Sequence, residues 1–206
     1  RTLLIGEGRP ETNNVRVDYA YDGYDLDTLH FPRKPRELQI YDIDSVVIRN
    51  AAQCVREKAP DLSWVYLWYT DDAFHITGYS TFSEDYLKRE DRMLRQIWDA
   101  IKYREKNFDE EWLLIVTTDH GREEHGFNHG GQSAGERGIW MVSNRRDMNA
   151  EWTSKSLSQV DINPSICRYL GFTIPRDVEW EQDGIPFFGN ADICNLTTTG
   201  FDNKVI

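Results

Sequence analysis

Residues 112–121 read WLLIVTTDHG, an apolar run that ends in an Asp-His pair followed by a glycine. A short and almost uniformly apolar run predicts a strand that is buried on both faces. Residues 62–69 (LSWVYLWY) form a second run of this kind, and residues 138–143 (GIWMVS) form a third. The fold is therefore expected to be built around a sheet of buried strands.

Three helical patterns alternate with these runs, at residues 43–58, about 83–106 and about 160–170. In each pattern apolar residues recur at a spacing of three or four, which is typical of an amphipathic helix. Asp161 is expected to cap the third helix, and Pro164 fits in its first turn. The alternation predicts an α/β fold, with a largely parallel sheet flanked by helices on both faces.

The outer parts of the chain lack a clear period. Residues 1–41 are rich in polar, acidic and aromatic side chains that follow neither a helical nor a strand pattern, so an irregular segment is expected there. At 206 residues the chain suits one domain. We expect a single partial domain, with the irregular segment, an α/β core over residues 42–190 and a tail over residues 191–206.

The charge of the chain restricts its partners. A formal net charge of -11 argues against binding to a nucleic-acid duplex, which requires a basic surface. No apolar run approaches the roughly 20 residues of a membrane helix, so no membrane span is expected. An acidic protein can still bind a phosphate group when metal ions supply positive charge.

A first group of candidate ligands lies in residues 69–75 (YTDDAFH). Asp71 and His75 are four residues apart and can reach one cation if the chain turns between them. Carboxylate and imidazole ligands suit zinc or a similar divalent metal. Asp72 competes with Asp71 for this role, and a surface Asp-His pair is the alternative interpretation.

A second group follows the run that opens this section. Asp119 and His120 are adjacent, and His125 and His129 come soon after them in a glycine-rich loop. Adjacent side chains at a strand end point to opposite sides unless the pleat is broken, which Gly121 permits. Ligands gather beyond the carboxyl ends of strands in open α/β sheets. Together, the two groups predict a metal site.

Four stretches resemble the alkaline phosphatase superfamily, and in particular its type I phosphodiesterase/nucleotide pyrophosphatase branch. They are LLIVTTDHG, HGGQSAGERGIW, YTDDAFH and VDINPSICRYLGFTIP. The resemblance covers about residues 62–190 and implies an alkaline phosphatase-like fold. It also implies two divalent metal ions, zinc or alternatively manganese or calcium, bridged by the phosphate of a small phosphoester substrate.

Carried over residue by residue, the resemblance assigns Asp71, His75 and His129 to one metal and Asp119 and His120 to the other. His129 is preferred to His125 because HGG is the loop signature of the family. Phe74 stands where the family usually has glycine, and its bulk is expected to narrow the metal pocket.

The family also uses an earlier Asp and a nucleophilic Thr or Ser near its N-terminus. Neither can be placed in this chain, which lacks an initiator Met. The nucleophile is therefore expected upstream of Arg1, in a missing N-terminal part of the same protein, and the fragment alone is expected to be inactive.

The resemblance implies a metal-dependent phosphoester hydrolase in the full-length protein. A sulfatase, or a phospho-group transferase or mutase of the same superfamily, is the alternative, as is a relic that binds metal without turnover. Members of the family are often exported, so a periplasmic or extracellular location is implied.

Overall fold

A computed structural model describes residues 2–6, 19–22, 36–154 and 157–189 of the chain. The strands in these ranges are β1 (Thr2–Gly6), β2 (Tyr19–Asp22), β3 (Leu62–Val65), β4 (Ile115–Thr117) and β5 (Met141–Ser143). The helices are α1 (Arg36–Lys58), α2 (Tyr69–Thr77), α3 (Ser83–Phe108), α4 (Ala134–Arg137), α5 (Glu151–Ser154), α6 (Ile162–Tyr169) and α7 (Arg176–Trp180), with a 3₁₀ turn at Gln159–Asp161.

The chain divides into two compact units. The first contains Arg1–Trp112 and Gly121–Gly138, and the second contains Leu113–His120 and Ile139–Ile206. The expectation of one partial domain over the whole chain stays a prediction.

The first unit contains a parallel sheet with the strand order β2-β1-β3. In its register, Leu3 lies opposite both Tyr19 and Ser63. Residues 1–41 were predicted to be irregular, and this was wrong for β1, β2 and the start of α1 at Arg36. The apolar run in β1 has only three residues, Leu3 to Ile5, and the aromatic residues of β2 are flanked by Asp18 and Asp22, so neither segment stood out from the polar sequence around it.

Three helices form the core of the first unit. Apolar side chains of α1 meet those of α3 and the start of α2, and the buried set includes Ile43, Val47, Ala51, Tyr69, Ala73, Met93, Ile97 and Ile101. Their spacing of three or four residues places them on one face of each helix. The helices predicted at 43–58 and 83–106 are thus confirmed, with an earlier start for the first.

The second predicted strand is shorter than expected and is not buried on both faces. It ends at Val65, and the chain enters α2 at Tyr69. β3 pairs with β1 at the edge of the described sheet, and Trp64 is 68% exposed. An apolar run does not reveal whether its strand lies in the middle or at the edge of a sheet.

In the second unit β4 and β5 pair antiparallel, with Val116 opposite Val142. Among the described residues, the strands therefore form two small sheets, and the expected large parallel sheet is not seen. The observed class is a mixed α/β fold. The prediction of parallel pairing was wrong here. A continuous apolar run is typical of fully buried parallel strands, whereas the residues of β4 and β5 are only half-buried or exposed and the two strands pair antiparallel.

The predicted helix near residues 160–170 is confirmed as α6, which follows Asp161. The carboxylate of Asp161 is 1% exposed and accepts hydrogen bonds from the amides of Ser158 (2.8 Å) and Ile185 (2.7 Å). The prediction that Asp161 caps α6 was wrong, because its side chain makes no capping hydrogen bond to that helix. The buried hydroxyl of Ser165 accepts a bond from the Phe187 amide, which ties α6 to the following segment.

The predicted tail, residues 191–206, lies outside the described residues. In the part of the chain that the structure covers, no helix combines the length and apolar character needed to cross a membrane.

Candidate metal centre

Three of the predicted ligands lie together in the first unit. Nε2 of His75 is 3.0 Å from Nε2 of His129, and the two rings are tilted with their centroids 4.9 Å apart. Asp71 Oδ2 is 3.4 Å from His75 Nε2, and Asp71 Oδ1 is 3.4 Å from His129 Nε2. The carboxylate and both imidazoles therefore converge on one point near the protein surface.

The sequence suggested that a turn brings Asp71 and His75 together, but the structure places both on a helix. Asp71 and His75 both belong to α2, where residues four apart lie on the same face. The helix therefore aligns these two side chains without help from a loop. Asp72 is turned away by roughly 100° and is buried at 5% exposure. Asp71 is thus the carboxylate that faces the imidazoles.

A buried carboxylate from another helix holds the start of α2. Asp44 of α1 is 2% exposed, and its Oδ2 accepts hydrogen bonds from the amides of Trp68 (2.8 Å) and Tyr69 (2.7 Å). These amides have no partner within the helix, and a negative charge there is favourable for the helix dipole. The Trp68 indole then donates to Asp71 Oδ2 at 3.2 Å.

The loop that carries His129 is braced by two carboxylates. Glu123 accepts hydrogen bonds from the amides of His125, Phe127 and Asn128, and these bonds, the one from His125 foremost, lower the pKa of Glu123. Glu136 accepts from the Ser133 hydroxyl and from the amides of Gly131 and Ser133, and the hydroxyl bond is the main cause of the lowered pKa of Glu136. Both carboxylates therefore stay ionised and fix the loop on either side of His129.

Two glycines of this loop have distinct roles. Gly130, next to His129, has a φ of 97°, a conformation that side chains rarely adopt. Gly121 was expected to relax the backbone, but its role is spatial. A Cβ on Gly121 would lie 2.0 Å from the carbonyl oxygen of Gly135 and 2.4 Å from that of Gly138. Gly121 thus lets the chain pass close to α4.

The competing histidine, His125, takes part in the loop through its backbone. Its carbonyl oxygen accepts a hydrogen bond from the Tyr79 amide at 2.8 Å. The group of metal-ligating side chains found among the described residues consists of Asp71, His75 and His129.

Arg122 was missed by the sequence analysis. Its side chain is 8% exposed, forms an ion pair with Asp71 Oδ1 and donates to the backbone oxygen of Asp71 at 2.6 Å. Its other terminal nitrogen lies 3.3 Å from the carbonyl oxygens of Gly126 and Phe127. No sequence period marks this arginine, and its only signal is its place directly after the Asp-His-Gly triplet.

Phe74 packs beside this arginine. Its ring meets the ring of Tyr79 edge to face, with 5.8 Å between centroids, and the Arg122 guanidinium lies 5.4 Å from the Phe74 ring. The effect of its bulk on a metal pocket stays a prediction.

The geometry of the three ligands fits a divalent ion. Zinc lies about 2.0–2.1 Å from its ligand atoms, which gives about 3.3 Å between two ligands of a tetrahedral site. The observed separations of 3.0, 3.4 and 3.4 Å are close to that value. One carboxylate with two imidazoles also matches the N/O ligand sets of zinc sites, and their partial exposure leaves room for a further ligand.

The other predicted pair, Asp119 and His120, belongs to the second unit and lies one residue beyond the end of β4. Asp119 Oδ1 is 3.5 Å from His120 Nε2, and the side chain of Asp119 is 60% exposed while that of His120 is 28% exposed. Gln159 donates to the backbone oxygens of Thr118 (3.2 Å) and Asp119, so the backbone at the strand end is anchored. Metal binding by this pair stays a prediction.

The chain is similar in sequence to a known protein family and to a curated relative. The pattern of the type I phosphodiesterase / nucleotide pyrophosphatase family matches residues 6–132, which include all five predicted ligands. The chain is also 32% identical over 182 residues to GPI ethanolamine phosphate transferase 3 of Eremothecium gossypii, with 81% of the chain covered. It spans only 16% of the length of that relative. No solved structure gave a significant match.

Proposed function

Because the chain belongs to the type I phosphodiesterase / nucleotide pyrophosphatase family, we propose that it is the metal-binding part of a phosphoester hydrolase. Members of the family act on phosphoester bonds as hydrolases or transferases, and they generally depend on divalent metals. The observation that carries the proposal is the convergence of Asp71, His75 and His129 within the first unit.

In this proposal Asp71, His75 and His129 hold one ion, and Asp119 and His120 hold a second. Zinc is the favoured metal because the first ligand set combines two imidazoles with one carboxylate. Divalent ions at such a site polarise the phosphoryl oxygens and neutralise charge on the leaving oxygen. The imidazoles must be neutral to act as ligands, so metal binding is expected to weaken in acid.

The substrate is proposed to be a small phosphoester, and the attacking group a Thr or Ser outside the residues assigned here. We propose further that β1, β2 and β3 are part of a larger, mainly parallel sheet of the alkaline phosphatase type. The alternative is a protein that binds metal without catalysing a reaction, and an activity assay distinguishes it from a hydrolase.

Transfer to an acceptor other than water is the second candidate function. It is favoured by the relative whose name describes an ethanolamine phosphate transferase. The two functions differ in their products. A hydrolase releases free phosphate or a phosphomonoester, whereas a transferase needs an added alcohol acceptor and produces a new phosphoester.

The proposal is tested first on the purified chain. Zinc content and zinc affinity are measured for the wild type, His75→Ala, His129→Ala and, as a control from the same loop, His125→Ala. We expect zinc binding in the wild type and in the control, and a loss of affinity of at least about 10-fold in the other two variants, since each removes one ligand. Equal binding by all four proteins would contradict the assignment.

Activity is then measured on the full-length gene product, because the chain covers a small part of the length of its relative. A chromogenic phosphodiester is the probe, with and without chelator. Activity that depends on metal and is lost in His75→Ala supports the proposal. Activity that persists in the presence of chelator and also in His75→Ala would refute the proposal.

A further inference from the structure

Arg122 connects the two segments that supply the clustered ligands. Through one terminal nitrogen it binds the backbone oxygen and Oδ1 of Asp71 on α2. Through the other it contacts the carbonyl oxygens of Gly126 and Phe127, in the loop that continues to His129. A planar guanidinium can contact several acceptors at fixed angles, which a lysine ammonium cannot do.

Arg122 is buried, and its contacts offset the cost of burying its charge. A buried cation is costly unless it is paired and its donors are bonded. The Asp71 carboxylate supplies the opposite charge, and three backbone oxygens accept hydrogen bonds from the two terminal nitrogens of the guanidinium. The side chain is thereby held in one orientation, and it holds Asp71 in turn.

Both oxygens of Asp71 have a neighbour that fixes the plane of the carboxylate. Arg122 binds Oδ1, and the Trp68 indole donates to Oδ2 at 3.2 Å. Groups that hydrogen-bond a metal ligand from behind orient it, and their loss typically weakens metal binding. A positive charge near the ion has the opposite effect, since it repels the ion. The two effects of Arg122 on metal affinity therefore have opposite signs, and a measurement can separate them.

We propose that Arg122 is a positioning residue, which sets the distance between Asp71 and the His129 loop and so assembles the metal site. This inference rests on the proposed metal-binding role of Asp71, His75 and His129. It predicts that positioning outweighs repulsion, so that removal of the arginine weakens metal binding even though it removes a cation.

Arg104 provides a matched control in the same unit. It is 9% exposed, pairs with the Glu110 carboxylate and donates to the backbone oxygen of Arg56 at 3.1 Å. It therefore resembles Arg122 in burial, in its charged partner and in its bond to a carbonyl group. Loss of Arg104 should destabilise the fold in a similar way without changing the ligand geometry.

The test is a titration of the chain with Co²⁺, whose visible absorption reports the coordination geometry, followed by competition with Zn²⁺. We expect Arg122→Gln to weaken affinity by about 10- to 100-fold and to change the Co²⁺ spectrum. Arg122→Lys keeps the charge but loses the planar fork, so it should also bind more weakly than the wild type. Arg104→Gln should unfold at a lower temperature and keep the wild-type affinity and spectrum.

The possible results separate this inference from the proposed function. Unchanged or tighter binding by Arg122→Gln would overturn the positioning role, and a wild-type chain that binds no Co²⁺ would overturn the metal site itself. If Arg122→Gln does not fold, Arg122→Lys decides, and wild-type affinity in that variant refutes the inference. An equal loss of affinity in Arg104→Gln would also refute it, because general destabilisation would then explain the effect.

Discussion

At the scale of single residues, two adjacent carboxylates of α2 have different surroundings. Asp71 faces both imidazoles, while Asp72 is buried on another side of the helix. Asp71→Asn keeps the shape of the side chain but removes its negative charge, so we expect Zn²⁺ affinity to fall by at least about 10-fold. Asp72→Asn is the isosteric control and should bind as the wild type does.

Titration calorimetry measures both affinities. Asp71→Asn also leaves the buried Arg122 without its counter-charge, so the variant is expected to be less stable, and affinity must be compared at a temperature where both proteins are folded. A larger loss of affinity in Asp72→Asn than in Asp71→Asn would show that Asp72, and not Asp71, is the ligand.

The sequence pointed to three side chains that the structure brings together, but it did not point to the residues that support them. The four-residue spacing of Asp71 and His75, and the glycine-rich context of His129, pointed to residues that the structure brings together. Arg122 and Asp44 act through tertiary contacts. Asp44 lies 24 residues before Trp68, whose amide it binds. A pattern of neighbouring residues cannot reveal a contact between residues so far apart in the sequence.

At the scale of elements, the start of α2 depends on Asp44. Its carboxylate accepts hydrogen bonds from two backbone amides at the helix start, where the helix itself supplies no carbonyl acceptor. Asp44→Ala is expected to lower the free energy of unfolding by about 1–2 kcal/mol, the usual effect of losing an N-terminal cap. Urea denaturation measures it, with Glu57→Ala, an exposed change on the same helix, expected to cost less than about 0.5 kcal/mol. Equal effects would show that Asp44 is not a cap.

A second element-scale prediction concerns the end of α3. Hydrogen bonds from Arg104 are the main cause of the lowered pKa of Glu110, and the Trp112 indole adds to them. A carboxylate with a lowered pKa stabilises the fold above its ordinary pKa. That contribution is lost as the pH falls through the lowered pKa. The difference in unfolding free energy between the wild type and Glu110→Gln should therefore be largest near neutral pH and shrink in acid.

Chemical denaturation at a series of pH values, in the presence of chelator, measures this difference. A difference that grows as the pH falls would have the wrong sign and would contradict the ion pair.

The same elements show what a sequence pattern can and cannot predict. The helices α1 and α3 are long, and their apolar positions repeat often enough to be recognised. The aromatic run before α2 was interpreted as one strand over residues 62–69, yet the chain leaves the sheet at Val65. What decides the boundary is the cap from α1 together with the burial of Tyr69, which are properties of packing.

At the scale of the whole molecule, the net charge of -11 means that any divalent cation reduces self-repulsion and can stabilise the chain a little. Specific binding adds a larger effect, because an ion that binds only the folded state stabilises it by about 2.7 kcal/mol at 100 times its dissociation constant. For a chain of this size, that corresponds to a rise of about 5–10 °C in the midpoint of thermal unfolding. We expect this rise for the wild type with Zn²⁺ and its reversal by chelator. His75→Ala keeps nearly the same overall charge and should show only the small general effect, whereas an equal rise in both proteins would mean that charge neutralisation alone explains the stabilisation.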